Sequence, residues 1–159
     1  MNTLQAGSAS FDHRNRAALL CIESPHIREI ISGQLNQLGF GIHTATNAEE
    51  ALHALYSQDC DVVVIAEDYE GTDIKTHPVL TEIGNMPIKQ RRLLFLTLMG
   101  PDLTTQSERQ AFTLSADLVI HPQDIPNFKT LISQGIQRHK ELYAPLKAAL
   151  RRFDEEGLL

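Results

Sequence analysis

Five short apolar runs alternate along the chain with segments of helical periodicity, and this alternation limits the possible folds more than any other feature. The runs are residues 17–22 (AALLCI), 41–45 (GIHTA), 61–66 (DVVVIA), 91–98 (RRLLFLTL) and 117–120 (DLVI). Short unbroken apolar runs are typical of strands buried on both faces, and strands that alternate with helices form a parallel sheet. The sequence therefore predicts an α/β fold, a three-layer sandwich in which helices cover both faces of a five-stranded parallel sheet.

The second run is the least apolar of the five, which indicates a strand at an edge of the sheet. Crossovers between parallel strands are right-handed, so few strand orders remain. We expect the flavodoxin-like order 2-1-3-4-5, because it has the second strand at an edge.

Capping residues predict where the first two helices begin and end. Ser24 followed by Pro25 is expected to open the first helix, and Gly39 is expected to end it. Asn47 and Glu50 have the spacing of a capping box, which predicts a second helix that runs to about residue 57.

Prolines and apolar spacing predict the later helices. Pro78 is expected to begin a short helix that ends before Pro87, and a mostly polar helix is expected over residues 103–116. Pro126 is expected to begin the last core helix, and Pro145 is expected to break or kink it. The apolar face of this last helix is predicted to consist of Phe128, Leu131, Ile132, Ile136 and His139 or Leu142.

A chain of 159 residues is expected to form one domain, here with a segment at each end. Residues 1–15 are polar and aperiodic, so we expect a disordered arm before a domain over residues 16–143. Residues 144–159 are expected to form a helical extension, which either packs on its own domain or pairs with a partner protein or with a second copy as a homodimer. The side chains for such pairing are Leu146, Leu150 and Phe153, at helical spacing.

The charge of the chain argues against autonomous binding to nucleic acid, because 14 basic and 20 acidic residues give a net charge of −6. The apolar stretches are too short to span a bilayer, and the N-terminus lacks the apolar core of a secretory signal. Cys21 and Cys60 lie in apolar contexts, which favours thiols in a reducing compartment. We therefore expect a cytoplasmic protein with no nucleic-acid or membrane partner.

Motifs at the ends of the predicted strands carry a resemblance to a known family. Glu23 and a Pro-x-x-Arg motif (Pro25 to Arg28) follow the first strand, and Leu-Gly-Phe ends the first helix. Asn-Ala-Glu-Glu-Ala-Leu opens the second helix, Asp61 opens the third strand, and His-Pro follows the fifth. In this order and spacing, residues 17–140 resemble the receiver domain of bacterial response regulators, the CheY-like superfamily.

The resemblance implies a phosphorylation site at the carboxyl ends of the strands. In the family, two acidic residues and a phosphoacceptor aspartate hold a magnesium ion, while a Ser or Thr and a Lys bind the phosphoryl oxygens. Here Glu23 and Thr97 match the second acidic position and the Ser or Thr position. Ile22, Ala66 and His121 occupy the first acidic, phosphoacceptor and lysine positions. The resemblance therefore implies a degenerate pseudo-receiver that lacks the nucleophile.

Two alternatives use neighbouring polar residues. Glu67 and Asp68 follow Ala66, and a slip of two residues would bring Asp68 near the site as a displaced phosphoacceptor. A rim of carboxylates and histidines could instead hold zinc or manganese, but no tight ligand motif links its members. The members of this rim are Glu23, His26, Glu67, Asp68, His77 and His121.

The expected function is that of a signalling module that binds proteins, independently of phosphorylation, and is not an enzyme. The polar helix over residues 103–116 and the exposed side of the last core helix correspond to the surface through which receivers signal. The turn after the first strand (Glu-Ser-Pro-His) is not glycine-rich, so no nucleotide or flavin cofactor is expected. The alternatives that remain open are a receiver phosphorylated at Asp68 and a sensor of a metal or small ligand.

Overall fold

A parallel sheet of five strands lies at the centre of the computed structural model, which describes residues 16–57, 60–67 and 76–155. The strand order is β2-β1-β3-β4-β5, and every neighbouring pair is parallel. The predicted order is therefore confirmed, with the second strand at an edge. The strands are β1 (Ala17–Cys21), β2 (Gly41–Thr44), β3 (Val62–Ala66), β4 (Phe95–Met99) and β5 (Leu118–Ile120).

Helices cover both faces of the sheet and give the predicted three layers. On one face, Leu35 and Phe128 are buried against the sheet, and on the other face Leu55 and Ile83 are buried. Within the described ranges the helices are α1 (Pro25–Gln37), α2 (Ala48–Ser57), α3 (Pro78–Gly84), α4 (Ile88–Arg92), α5 (Glu108–Thr113), a 3₁₀ helix (Pro122–Asn127) and α6 (Phe128–Glu155).

The predicted signals at both ends of α1 are confirmed. The Ser24 hydroxyl accepts a hydrogen bond from the Ile27 N–H at 3.4 Å, and Pro25 takes the first helical position. After the helix, Gly39 has a φ of 92°, in the left-handed region that favours glycine. The chain is thus turned into β2 where the sequence predicts.

The capping box of α2 is closed one residue earlier than predicted. The Asn47 side chain accepts from the Glu50 N–H at 2.8 Å, as expected of the first residue of the box. The Glu50 carboxylate, however, accepts from the Thr46 N–H at 3.1 Å and from the Thr46 hydroxyl. These bonds, the hydroxyl first, lower the pKa of Glu50 below its usual value.

The fourth apolar run is divided between a helix and a strand, so the prediction of a strand from residue 91 is wrong. Arg91 and Arg92 lie in α4, and β4 begins at Phe95. The Arg91 guanidinium donates to the Leu94 carbonyl at 3.0 Å and to the Asp117 carboxylate at 3.2 Å. A cation that is held at the edge of the sheet in this way does not belong to a buried central strand.

The predicted polar helix over residues 103–116 is also corrected, because only Glu108–Thr113 is helical. Ser107 caps this helix, and Gln106 has a φ of 65°, which is outside the helical region. The last helix begins later than predicted, since Pro126 lies within the 3₁₀ helix and α6 starts at Phe128.

Pro145 does not end α6, which continues to Glu155. Proline removes one hydrogen bond from a helix, and the Leu-, Ala-, Lys- and Arg-rich sequence after it favours helix strongly. On the predicted apolar face, the His139 ring contacts the Phe95 ring with 5.7 Å between centroids, whereas Leu142 is exposed. The face therefore continues through His139 and not through Leu142.

Two helix glycines provide a matched test of this packing. A Cβ at Gly135 of α6 would lie 2.7 Å from Cζ of the buried Phe95, whereas a Cβ at Gly33 of α1 would have no atom within 4 Å. We expect Gly135→Ala to lower the free energy of unfolding by about 1–3 kcal/mol through overpacking. Gly33→Ala is expected to raise it by roughly 0.5–1 kcal/mol, because alanine favours helix over glycine.

Urea unfolding followed by circular dichroism measures both changes. Equal effects of the two substitutions would contradict the close packing of α6 on β4.

Candidate functional site

The carboxyl ends of the central strands are lined by apolar side chains. We call Ile22, Ala66, Met99 and Ile120 the apolar floor. Ala66 pairs with Met99 and Met99 pairs with Ile120, so these residues lie side by side at the end of the sheet. Ile22 follows β1, and the exposed fractions of the four lie between 0% and 7%. All four belong to the core layer that α1 and α6 cover.

Thr97 lies two residues before the end of β4, which continues to Met99. It pairs with Val64 and Leu118, whereas the residue beside Ala66 is Met99. Thr97 is fully buried, and the described residues offer its hydroxyl oxygen no hydrogen-bond partner. The side chain beside Ala66 at the end of the sheet is therefore that of Met99, which cannot hydrogen-bond a phosphoryl oxygen as a hydroxyl does.

The polar groups near the apolar floor are held by structural contacts. Arg28 of α1 donates to the Ile22 carbonyl at 3.1 Å, which ties the helix to the end of β1. The Glu67 N–H donates to the Met99 carbonyl at 2.7 Å. A Cβ at Gly100 would lie 2.7 Å from Cβ of Glu67, so the Glu67 side chain packs directly over the Gly100 backbone. Glu23, by contrast, is exposed.

His121 serves as a helix cap at the position where the family has a lysine. Its Nδ1 accepts from the Gln123 N–H at 3.0 Å, which caps the 3₁₀ helix. Its backbone N–H donates to the Thr105 hydroxyl at 2.9 Å, and that hydroxyl donates to Asp124. In this arrangement His121 does not present the permanent cation that a lysine would supply.

The predicted metal rim is not assembled by the described residues. They contain no group of three or more His, Cys, Asp or Glu side chains that could hold a metal ion. His77 is fully buried, and its Nδ1 accepts from the Val79 N–H at 3.2 Å to cap α3. His26 is exposed on the first turn of α1, and Asp68 lies outside the described residues.

A groove separates α5 from α6 along the edge strand β5. Its volume is about 270 Å³, and Leu118, His139 and Tyr143 are among the residues that line it. Two large apolar side chains are exposed on these helices, Phe112 with 87% and Leu142 with 70% of its surface accessible. The groove coincides with the surface that the sequence predicts for partner binding.

The predicted pairing residues of the C-terminal extension lie on α6, beyond Tyr143. The backbone of α6 is helical through Leu146, Leu150 and Phe153. The side chains of these three residues lie outside what the structure describes, as do residues 1–15 and 156–159. Among the described helices, none combines the length and the apolar character needed to cross a membrane.

The strand order and helix layers define a receiver-like fold, and solved structures of response-regulator receiver domains are similar to it. A receiver domain of a DNA-binding response regulator (merR) from Colwellia psychrerythraea 34H has 17% identity and a TM-score of 0.60, over 77% of this chain and 98% of that chain. The chemotaxis response regulator CheY4 of Vibrio cholerae has 16% identity and a TM-score of 0.59, over 78% and 97%.

The receiver domain of an HD domain-containing protein from Pseudomonas fluorescens Pf-5 is similar to the same extent, with 18% identity and a TM-score of 0.59 over 79% of this chain and 97% of that chain. No protein-family model and no curated protein matches the sequence. At these identities the likeness shows the fold alone, so the chemistry of the site depends on the residues described above.

Sequence reasoning missed two features of the site, Met99 in the floor and the packing of Glu67 on Gly100. The first left a signal, because the apolar run continues past Thr97 through Leu98 and Met99. The packing of Glu67 on Gly100 left no signal in the sequence, because a contact between two loops depends on how the strands before them are aligned.

Substitution of Ala66 tests whether the floor is apolar in solution. A carboxylate at this buried position loses hydration, so we expect the pKa of Ala66→Asp to be raised above the unfolded value of about 3.9. The free energy of unfolding should then fall as the pH rises above that value, since the folded state disfavours the charged form. The isosteric Ala66→Asn should lose roughly 1–3 kcal/mol with no such trend.

Urea unfolding of both variants at pH 5 and pH 8 gives the comparison. Equal stability of the two variants at pH 8 would mean that the end of β3 is hydrated, contrary to the structure.

Proposed function

We propose that this chain is a phosphorylation-independent, receiver-like signalling module that acts by binding another protein and catalyses no reaction. The observation that carries the proposal is the apolar floor, which includes the positions where the resemblance expects an acidic residue and the carboxylate nucleophile, Ile22 and Ala66. The methyl group of Ala66 cannot attack a phosphoryl donor. Hydrocarbon side chains also offer no oxygen ligand to Mg²⁺, which binds oxygen almost exclusively.

The retained scaffold supports a binding role. The sheet and its two helix layers are complete, so the groove between α5 and α6 has a rigid base in β5. Leu142 lines the groove and is exposed, and Phe112 is exposed on α5; large apolar surfaces of this kind favour association with a partner. Under this proposal the fold keeps its docking surface and has lost the chemical switch.

A phosphorylation assay tests the proposal directly. We expect no covalent adduct when the full chain is incubated with acetyl phosphate and Mg²⁺ and its intact mass is measured, because the residue at the phosphoacceptor position is Ala66, whose methyl group cannot accept phosphate. Fluoroberyllate, which mimics an aspartyl phosphate, should leave the amide resonances of Glu23, Ala66 and His121 unchanged. A receiver that accepts phosphate serves as the positive control.

One outcome would overturn this part of the proposal. A mass increase of one phosphoryl group that Asp68→Asn abolishes and Glu67→Gln retains would identify Asp68 as a displaced acceptor. Saturable shifts with Mg²⁺ alone would instead support a metal sensor.

We also propose that the C-terminal part of α6 pairs with a second copy of the chain. Tyr143, Leu146, Leu150 and Phe153 follow one another at intervals of three, four and three residues, which is the spacing of a coiled-coil seam. This part of the helix extends beyond the core helix predicted from the sequence, and Ala144, Pro145 and Ala148 are exposed on it. A second helix would bury the seam.

Light scattering coupled to size exclusion tests the pairing. We expect the full chain to have the mass of two copies, and a chain truncated after Tyr143 to have the mass of one. Leu150→Asp should also give one copy, while Ala148→Asp, which introduces the same carboxylate at an exposed position, should leave the dimer intact. The same number of copies in all four proteins would exclude self-association through this segment.

A further inference from the structure

A second groove lies at the opposite end of the sheet from the apolar floor, between α2 and the segment that joins α3 to β4. Its volume is about 350 Å³. We call it the basal groove. It is lined in part by Tyr56, Cys60, Asp61, Met86 and Leu93. The basal groove takes no part in the function proposed above.

Two large side chains of the basal groove are exposed. Tyr56 has 54% and Leu93 has 64% of its surface accessible. The Tyr56 hydroxyl donates to the Glu82 carboxylate, which fixes the ring at the groove and raises the pKa of Tyr56. Large exposed side chains that line a groove, as Tyr56 and Leu93 do here, favour binding of a segment or partner that buries them.

The chain enters the sheet at the edge of this groove. The Ala17 N–H donates to the Asp61 carboxylate at 3.0 Å, and Asp61 lines the groove. The preceding residue, Arg16, is held by its carbonyl, which accepts from the Gly41 N–H at 3.0 Å, and by its guanidinium, which donates to the Leu38 carbonyl at 3.0 Å. Residues 1–15 are thus attached to a fixed point beside the basal groove.

The composition and length of this segment suit the groove. It carries three large apolar side chains, Met1, Leu4 and Phe11, and Phe11 is six positions before Ala17. Six extended residues span up to about 20 Å, which is ample for a site whose rim contacts Ala17. An aromatic ring suits the walls, because Tyr56 offers an aromatic edge or face and Met86 offers a thioether.

We propose that the N-terminal segment folds back on its own domain and inserts Phe11 into the basal groove. The tether supports this occupant over a second copy or another protein, because a short linker holds the segment at a high effective concentration. Docking covers Tyr56 and Leu93, and it also covers the thiol of Cys60.

The rate at which Cys60 is alkylated therefore reports how often the N-terminal segment occupies the basal groove, in the protein without substitutions. It is partly buried, whereas the other thiol, Cys21, is fully buried in β1. Alkylation by iodoacetamide, resolved by peptide mass spectrometry, gives the rate for each cysteine separately. If the segment is docked for about nine tenths of the time, its removal exposes Cys60 about tenfold more often.

We expect deletion of residues 2–12 and the single change Phe11→Ser each to speed the alkylation of Cys60 about tenfold, with Cys21 unchanged as the control for global opening. Leu4→Ser should have a much smaller effect. Unchanged rates in both the deletion and Phe11→Ser would overturn the proposal. So would a Cys60 rate that falls as the protein concentration rises, because that result means a second copy covers the groove.

A second readout uses the absence of tryptophan from the chain. Phe11→Trp provides a single tryptophan, whose emission should be blue-shifted in the docked segment. Adding Leu93→Asp should shift the emission to that of an exposed indole, while adding Leu142→Asp, an equally exposed leucine outside the groove, should not. Red emission in the Phe11→Trp protein itself, together with fast alkylation of Cys60, would mean that the groove stands open.

Discussion

Burial of β1, β3 and β4 on both faces is the constraint on which the rest of the structure depends. A parallel strand in this position has no solvated side, so both sets of its alternating side chains must be apolar and must be covered by helices. The five residues of β3 are all buried, and they divide between the two core layers. The helices α1 and α6 on one side, and α2 and α3 on the other, are placed by this requirement.

Two carboxylates, those of Asp61 and Asp117, hold the amino-terminal end of the sheet. Asp61 accepts from the Ala17 N–H, and Asp117 accepts from the Leu96 N–H at 2.8 Å and from Arg91. Each carboxylate thus joins the start of one strand to its neighbour, and strand ends that are satisfied in this way hold the register. The carboxyl-terminal end has the opposite character, because the apolar floor closes it.

The strands and their order could be predicted because apolar runs report burial directly, but register could not. The resemblance matches Thr97 by residue type only. Which residue of β4 lies beside Ala66 depends on the register of β3 and β4, and therefore on where β4 begins. That start is hidden, because Arg91 and Arg92 directly precede the apolar run in the sequence. Arg91 lies in α4 and contacts Asp117, which is distant in the sequence. The cap formed by His121 is equally invisible from the sequence, since it depends on the geometry of the turn that follows β5.

The composition of the floor also limits how the proposed docking surface could be regulated. A ligand or modification shifts a conformational equilibrium only by its differential interaction with the two states. A phosphorylated receiver obtains that difference from charge at the carboxyl ends of its strands, but Ile22, Ala66, Met99 and Ile120 have no ionisable group to supply it. Under the proposed function, the surface between α5 and α6 is therefore either presented constantly or controlled by another contact. The basal groove and Arg16, which precedes β1, lie at the far end of the same strands, where the carboxylates that hold the register are found.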